Sequence, residues 1–166
     1  SSENRAYIPI GFFGPNVFCG DANLMIPDAT LYEFGILHSI MHNAWMRVVC
    51  GRLESRYRYS ASIVYNNFPF PQNVSDKQKQ SIEIEVRAVL DARAKYPESS
   101  LADLYDPLLM PADLLKAHKT LDKAVDAAYG QQKFANEAER VAYLFELYEQ
   151  YTKDEKAELL KLKAKK

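Results

Sequence analysis

The sequence predicts an α+β protein in which a partial α/β region, residues 1–72, precedes a C-terminal helical bundle with a charged tail, residues 73–166. Near the amino end, short apolar runs are broken by Gly, Pro, Asn and Asp, which is typical of short strands and turns. Farther along, apolar residues recur at three- and four-residue steps, which is the period of a helix. The polar segment PQN at 71–73 separates the two patterns.

The composition is that of an ordinary globular protein. The chain has 166 residues, enough for one modest domain or two small ones, and it is 48% hydrophobic and 26% charged. No apolar run of about 18 residues and no amino-terminal signal occurs, so a cytoplasmic protein without a membrane partner is expected. Cys19 and Cys50 have no metal-binding spacing and are expected to be reduced, half-buried thiols.

The first region is expected to contain strands and one long helix. The runs AYIPIGFF, NVFCG and ANLMIP predict three short strands. Thr30 followed by Glu33 forms a capping box, and the apolar periodicity after it predicts a helix that ends at Gly51. Alternation over residues 52–66 predicts a strand or a hairpin. Too few strands result to close a sheet, so the chain is expected to be a fragment of a longer protein.

The second region is expected to be entirely helical. Helix starts are indicated by Ser or Asn followed three residues later by Gln, Asp or Glu, and by a proline at a first helical turn. These signals stand at Ser75, Ser100, Pro111 and Asn136, and the charged tail KDEKAELLKLKAKK extends the last helix or frays. The sequence therefore predicts four or five helices.

Charge is unevenly distributed although the formal net charge is −1. Residues 1–72 hold five arginines, no lysine and five acids, together with twelve of the twenty aromatic residues. Guanidinium groups make planar, bidentate contacts that ammonium groups cannot make. This composition indicates directional recognition in the first region, whereas the charges of the second region are typical of a solvated helical surface.

The alternating segment GRLESRYRYS, residues 51–60, places a charge at every second position. In an extended chain, all four charged side chains would share one face, with Leu and Tyr on the other. These four residues are Arg52, Glu54, Arg56 and Arg58. One interpretation is a solvated strand face with cross-strand ion pairs and no specific partner.

The other interpretation is base recognition in double-stranded DNA. Arg donates two hydrogen bonds to guanine O6 and N7, and Glu accepts one from the cytosine N4 amine, so Glu54 and Arg56 could read one C·G pair together. Arg52 and Arg58, with Arg47 nearby, would contact the DNA backbone and fix the register. Tyr57, Tyr59 and Trp45 would support this face from behind.

Signatures of catalysis are missing from the chain. It has no glycine-rich phosphate loop, no HExxH and no nucleophile elbow, and YNNFPFP lacks the consecutive prolines of an amino-group methyltransferase loop. His38 and His42 are four residues apart on a predicted helix, but no third ligand accompanies them, so structural histidines are favoured over a metal site. His118 is expected to be exposed. No catalytic or metal-binding residue is predicted.

Four long segments carry a family resemblance: AYIPIGFF, IPDATLYEFGILHSIMHNAWMRVVCGRLESRYRYSASIVYNNFPFP, VLDARAKYPESSLADLYDPLLMPADLLKAHKTLDKAVDAAYG and EAERVAYLFELYEQ. They resemble the carboxyl-terminal third of MmeI-like type IIG/IIL restriction-modification enzymes and their methyltransferase relatives. The resemblance covers nearly the whole chain in the same order. It implies that residues 1–72 are the later part of a DNA target-recognition domain and that residues 73–166 include the helical C-terminal domain.

The resemblance also implies a larger parent protein. Such a parent carries an adenine-N6 methyltransferase domain that uses S-adenosylmethionine, often with a Mg²⁺-dependent nuclease, and this chain would contact that methyltransferase domain and DNA without needing a cofactor of its own. Family members commonly have Lys and Asp at the positions of Glu54 and Arg56. This exchange is what reading the reversed base pair would require.

An alternative from another class makes the helical region a docking module that packs on the methyltransferase domain or clamps DNA. It would use an apolar stripe on the last helix, although such a stripe is more often core than partner surface. The stripe consists of Tyr143, Leu144, Leu147, Tyr148 and Tyr151.

Overall fold

The computed structural model describes residues 4–21, 23–54, 56–130 and 133–163, with side chains as far as residue 158. Within these residues the protein is mostly helical with one two-stranded antiparallel sheet, which confirms the α+β class. None of the described helices is long and apolar enough to cross a membrane. The elements are α1 (Leu31–His38), α2 (Ile40–Val49), β1 (Gly51–Leu53), β2 (Arg56–Arg58), a π-helical turn (Ala61–Tyr65), α3 (Asp76–Ala94), α4 (Leu101–Leu104), α5 (Ala112–Ala128) and α6 (Glu137–Lys163).

The single helix predicted from Thr30 to Gly51 is two helices. The capping box of Thr30 and Glu33 forms as predicted. The break comes at Ser39, whose backbone is extended and whose hydroxyl donates to the Ile36 carbonyl at 2.7 Å. The carboxylate of Asp122 then accepts a hydrogen bond from the first amide of α2, that of Ile40, at 2.7 Å. These hydrogen bonds satisfy backbone groups at the end of α1 and the start of α2 that have no partner within their own helix.

The strands predicted before Thr30 are wrong, because none forms in the described residues there. Side chains of the helices, rather than a neighbouring strand, bond to several backbone groups of residues 5–10. Asn43 accepts from the Ile8 amide at 3.0 Å, Arg93 donates to the Ile10 carbonyl at 2.8 Å, and Arg47 donates to the Ala6 carbonyl at 2.7 Å. The segment, here named the strap, therefore crosses the helices without regular secondary structure.

Residues 51–58 form a hairpin, as the alternation predicts, but the strand expected over residues 61–65 is wrong. That part is the π-helical turn, and Ser60 caps it by accepting from the Ile63 amide. The carbonyl of Val64 in this turn accepts the indole N–H of the buried Trp45 at 3.0 Å.

The predicted helix starts of the second region are confirmed. Ser75 and Ser100 form complete capping boxes, and Asn136 accepts from the Glu139 amide at 3.0 Å. Pro111 is the N-cap of α5, and Gly130, with a φ of 76°, follows its end. The charged tail continues α6 as far as Lys163.

The two regions share one hydrophobic core. A Cβ on Gly35 of α1 would meet Ile82 at 2.5 Å and Val86 at 2.8 Å, so α1 and α3 are in close contact. On the other side, Trp45 of α2 packs against Phe145 of α6, with ring centroids 5.2 Å apart. The first region is therefore braced by helices of the second.

Three expectations about single residues are corrected. His118 is fully buried rather than exposed, because Tyr7 of the strap stacks on its ring at 4.1 Å. Cys19 is exposed rather than half-buried, and Cys50 is buried. Both thiols are free.

Candidate nucleic-acid interface

The strands β1 and β2 pair antiparallel, and residues 51–58 are here named the arginine hairpin. The pairs are Gly51 with Arg58, Arg52 with Tyr57, and Leu53 with Arg56. Residues that face each other across an antiparallel pair point to the same side. In this register each even-numbered residue lies opposite an odd-numbered one.

This register corrects the expected arrangement of the four charges. Arg56 and Arg58 share one face with Leu53, whereas Arg52 lies on the other face, where its guanidinium stacks on Tyr57 at 4.4 Å. The prediction that all four charges share one face assumed one continuous strand. In the hairpin, even-numbered residues of β1 and even-numbered residues of β2 point to opposite faces. Glu54 lies at the tip of the hairpin.

The backbone of Glu54 is in the left-handed region, with a φ of 55°. Asp28 and Asn73 have similar angles, but Asn and Asp tolerate them, whereas a long side chain there costs about 1–2 kcal/mol. Gly or Asn would serve better in a two-residue turn. Glu54 is thus held in a backbone conformation that a long side chain disfavours.

The Glu54 and Arg56 side chains extend into solvent together. They are 78% and 75% exposed, and their closest carboxylate and guanidinium atoms are 3.8 Å apart. At that distance, and with that exposure, the ion pair is loose and contributes little to stability. Both groups can therefore meet another molecule without losing a buried contact.

The hairpin is fixed to the core where β2 ends. The Tyr59 hydroxyl donates to Nε2 of His42 at 2.9 Å, since Nδ1 of that ring is 2.8 Å from the Leu37 carbonyl and donates to it. Burial lowers the pKa of His42 to about 4, so the ring is neutral. Burial, with Tyr65 nearby, raises the pKa of Tyr59. This neutral pair joins the hairpin to α2.

Arg47 and Trp45 lie differently from what the sequence indicated. The Arg47 side chain is only 17% exposed, and it pairs with Glu137 at 2.6 Å and donates to the Arg5 and Ala6 carbonyls. Its predicted contact with the DNA backbone stays a prediction, but these contacts favour a structural role. Trp45 is buried and supports the π-helical turn rather than the hairpin.

The three histidines belong to buried hydrogen-bond networks. Among the described residues, no group of three or more His, Cys, Asp or Glu is placed to hold a metal ion. Arg93 contacts the His38 ring and donates to the Tyr105 hydroxyl, which lies 2.7 Å from Nε2 of His118. Burial, with Arg93 nearby, lowers the pKa of His118 to about 3.

The polar contacts that position the hairpin and the strap join residues far apart in the sequence and were not predicted. The Tyr7 hydroxyl donates to Asp122 at 2.7 Å, and burial raises the pKa of this carboxyl to about 6. The spacing of His38 and His42 was the available signal, because it placed both on one helical face. What the sequence does not show is the distant partner of each ring: Tyr59 lies 17 positions from His42, and Arg93 lies 55 positions from His38.

Two family models match the chain. Residues 1–72 match the MmeI target recognition domain, and residues 74–155 match the MmeI C-terminal domain. DNA methyltransferase A of Bacillus subtilis (strain 168) is 43% identical over 152 residues, which are 92% of this chain and 17% of that protein.

A solved structure is also similar. The chain superposes on the type IIL restriction-modification enzyme MmeI in complex with DNA with a TM-score of 0.88 and 56% identity, over 92% of this chain and 20% of that one. The chain thus spans about a fifth of the length of these relatives. By both family models and by this likeness, the chain belongs to the MmeI family and consists of target recognition domain and C-terminal domain sequence.

Proposed function

We propose that this chain is the sequence-reading end of a site-specific adenine-N6 DNA methyltransferase or restriction-modification enzyme, and that it binds double-stranded DNA without catalysing a reaction. The family of its first 72 residues supports a recognition role. Its relatives include a DNA methyltransferase and a restriction-modification enzyme solved with DNA. Methyl transfer from S-adenosylmethionine, and cleavage with Mg²⁺ where a nuclease is present, belong to other parts of the parent enzyme, which acts in the cytoplasm.

The observation that carries the proposal is the pair at the tip of the arginine hairpin. Glu54 occupies a left-handed backbone position that its side chain disfavours, and it is exposed beside Arg56. A two-stranded ribbon fits the major groove, which is about 12 Å wide. The tip of such a ribbon would reach the base edges first.

The two side chains have complementary chemistry for a C·G pair. Arg56 donates to guanine O6 and N7, while Glu54 accepts from the N4 amine of the paired cytosine. A carboxylate near phosphates is repelled unless it meets a donor, so Glu54 selects against bases that present only acceptors. In the free protein the two groups form only a loose ion pair, with 3.8 Å between them, so both can turn toward a base pair.

Phosphate contacts would come from the flanking arginines. Arg58 follows Arg56 on the same face, and Arg52, stacked on Tyr57 on the opposite face, would contact the backbone from the flank of the hairpin. Because the net charge is −1, non-specific attraction to DNA is weak, and binding depends on these placed contacts. The methyltransferase domain of the parent supplies the remaining DNA contacts.

The test is an exchange of charges in the full-length enzyme. Glu54→Lys with Arg56→Asp should switch one position of the methylated site from C·G to G·C, which sequencing of methylated sites would detect. Glu149→Lys with Lys153→Glu is the matched control, because it reverses another exposed ion pair, on α6. An active hairpin variant that methylates the original site would overturn the proposal.

The docking alternative has less support. Leu144 of the stripe is fully buried, and the hydroxyls of Tyr143 and Tyr151 donate to the Tyr129 and Phe70 carbonyls. Most of the stripe therefore belongs to the core. Tyr148 is its exposed member. Packing against the methyltransferase domain would need a different surface.

A further inference from the structure

Leu53 is an exposed apolar side chain on the face of the arginine hairpin that also carries Arg56 and Arg58. It lies directly opposite Arg56 in the strand register, and it is 64% exposed. Among the described residues it is not one of those that pack against the hydrophobic core, whereas Tyr57 on the other face is. Leu53 therefore contributes little to the stability of this fold.

The position of Leu53 relative to Arg56 suits a neighbouring base pair. Side chains directly opposite each other in an antiparallel pair have Cβ atoms about 5 Å apart. Stacked base pairs are separated by about 3.4 Å along the helix axis. If the hairpin enters the groove tip first, with its strands side by side along the groove, Leu53 reaches the pair next to the one that Arg56 contacts.

The chemistry of Leu53 selects one feature of the major groove. Guanine presents N7 and O6, adenine presents N7 and the N6 amine, and cytosine presents the N4 amine. Each of these polar groups would lose hydrogen bonds with water if a leucine covered it. Thymine presents a C5 methyl group, which an apolar side chain can cover. The Leu53 side chain has no charged or hydrogen-bonding group with which to read the other bases.

We propose that Leu53 contacts the C5 methyl of a thymine in the base pair next to the C·G pair read by Glu54 and Arg56. The recognised site accordingly has an A·T pair at that position. This inference rests on the proposed function, since it needs the same face of the hairpin to lie in the groove. It assigns to Leu53 a part in specificity that the charged residues cannot perform.

The test uses the full-length enzyme and synthetic duplexes that contain its methylated site, as mapped by sequencing. Replacing the neighbouring thymine with deoxyuridine removes only the methyl group. Methylation efficiency, kcat/KM, should fall about fourfold, the ratio expected when one methyl-sized group loses its apolar contact. Deoxyuridine at the site's other thymines is the control on the DNA side.

Variants separate a base contact from a general effect. Leu53→Ala should methylate the thymine and deoxyuridine duplexes equally and keep its preference for C·G at the adjacent position. Leu109→Ala is the matched control, because Leu109 is 65% exposed in the loop before α5 and should retain the fourfold ratio.

Three results would overturn the inference: a neighbouring pair that is G·C or unspecified, equal methylation of both duplexes by the unaltered enzyme, or a Leu53→Ala loss that is the same for both duplexes. The charge exchange at Glu54 and Arg56 distinguishes these from failure of the proposed function. If that exchange switches the C·G position while deoxyuridine has no effect, only the thymine contact is wrong.

Discussion

The Tyr59 hydroxyl donates a 2.9 Å hydrogen bond to Nε2 of the buried His42, one residue after β2 ends. The other ring nitrogen of His42 is held by the Leu37 carbonyl at the end of α1. The arginine hairpin is thus joined through one neutral side chain to the junction of two core helices. Because this contact is independent of the charges at the tip, it can be altered without touching Glu54 or Arg56.

Tyr59→Phe should loosen the hairpin while leaving its tip intact. The change leaves His42 Nε2 buried without a donor, so the free energy of unfolding should fall by about 1–3 kcal/mol. Discrimination between C·G and G·C duplexes by the full-length enzyme should fall as well, since the tip is less well positioned. Tyr96→Phe, which removes a hydroxyl bonded to Asp113 away from the hairpin, should leave discrimination unchanged. Unaltered discrimination in Tyr59→Phe would refute the positioning role.

Arg47→Ala should change the stability of the fold, whereas Arg58→Ala should change the salt dependence of DNA binding. Arg47 is engaged inside the fold, so its loss should lower stability, measured by urea unfolding, and leave the salt dependence of DNA affinity unchanged. Arg58 is exposed, so its loss should leave stability unchanged and reduce the slope of log affinity against log salt by about 1. A reduced slope for Arg47→Ala would instead place that residue on the phosphates.

Acid should destabilise the fold between about pH 6.5 and 4. Burial lowers the pKa of His38, His42 and His118 in the folded protein below the ordinary value of 6.5, so unfolding takes up three protons in this range. Burial raises the pKa of Asp122 from 3.8 to about 6, so unfolding releases one proton there. With a net uptake of two protons, stability falls as the pH falls, by about 3 kcal/mol per pH unit at most.

Urea unfolding at a series of pH values checks this dependence. His118→Gln removes one of the three titrating groups and should reduce the slope by about 1.4 kcal/mol per pH unit. Each protein's stability at lower pH is compared with the stability of the same protein at pH 7. A stability that does not change between pH 6.5 and 4 would contradict the neutral, buried histidines.

Gly35→Ala should separate α1 from α3. Its Cβ would lie 2.5 Å from Ile82 and 2.8 Å from Val86, and overpacking of this kind costs about 1–3 kcal/mol. The gain in helix propensity, at most about 1 kcal/mol, opposes this cost. The midpoint of urea unfolding should therefore fall. Gly14→Ala has no neighbour within 4 Å and should not lower it.

Helix starts could be predicted from the sequence because their signals are local. Thr30 with Glu33, Ser75 with Gln78 and Ser100 with Asp103 each bring together residues three positions apart, and the helix supplies the rest. The break at Ser39 could not be predicted in this way. It depends on the carboxylate of Asp122, 82 positions from the amide that it binds.

The candidate site shows the same limit. The alternation of residues 52–58 indicated an extended chain with paired charges, and Glu54 and Arg56 are exposed together. Where the chain reverses decides which charges share a face, and Glu54 is not a usual turn residue, so the predicted position of Arg52 was wrong. His118 was misplaced because its neighbour Tyr7 comes from the distant strap.

The central claim, that Glu54 and Arg56 read one base pair together, is tested most directly by four rates. The unaltered full-length enzyme and the variant with Glu54→Lys and Arg56→Asp are each assayed on two duplexes that differ only by C·G or G·C at the assigned position. The account predicts crossed preferences, with each enzyme favouring its own duplex by about tenfold or more in kcat/KM. The same preference in both enzymes, with activity retained, would contradict it.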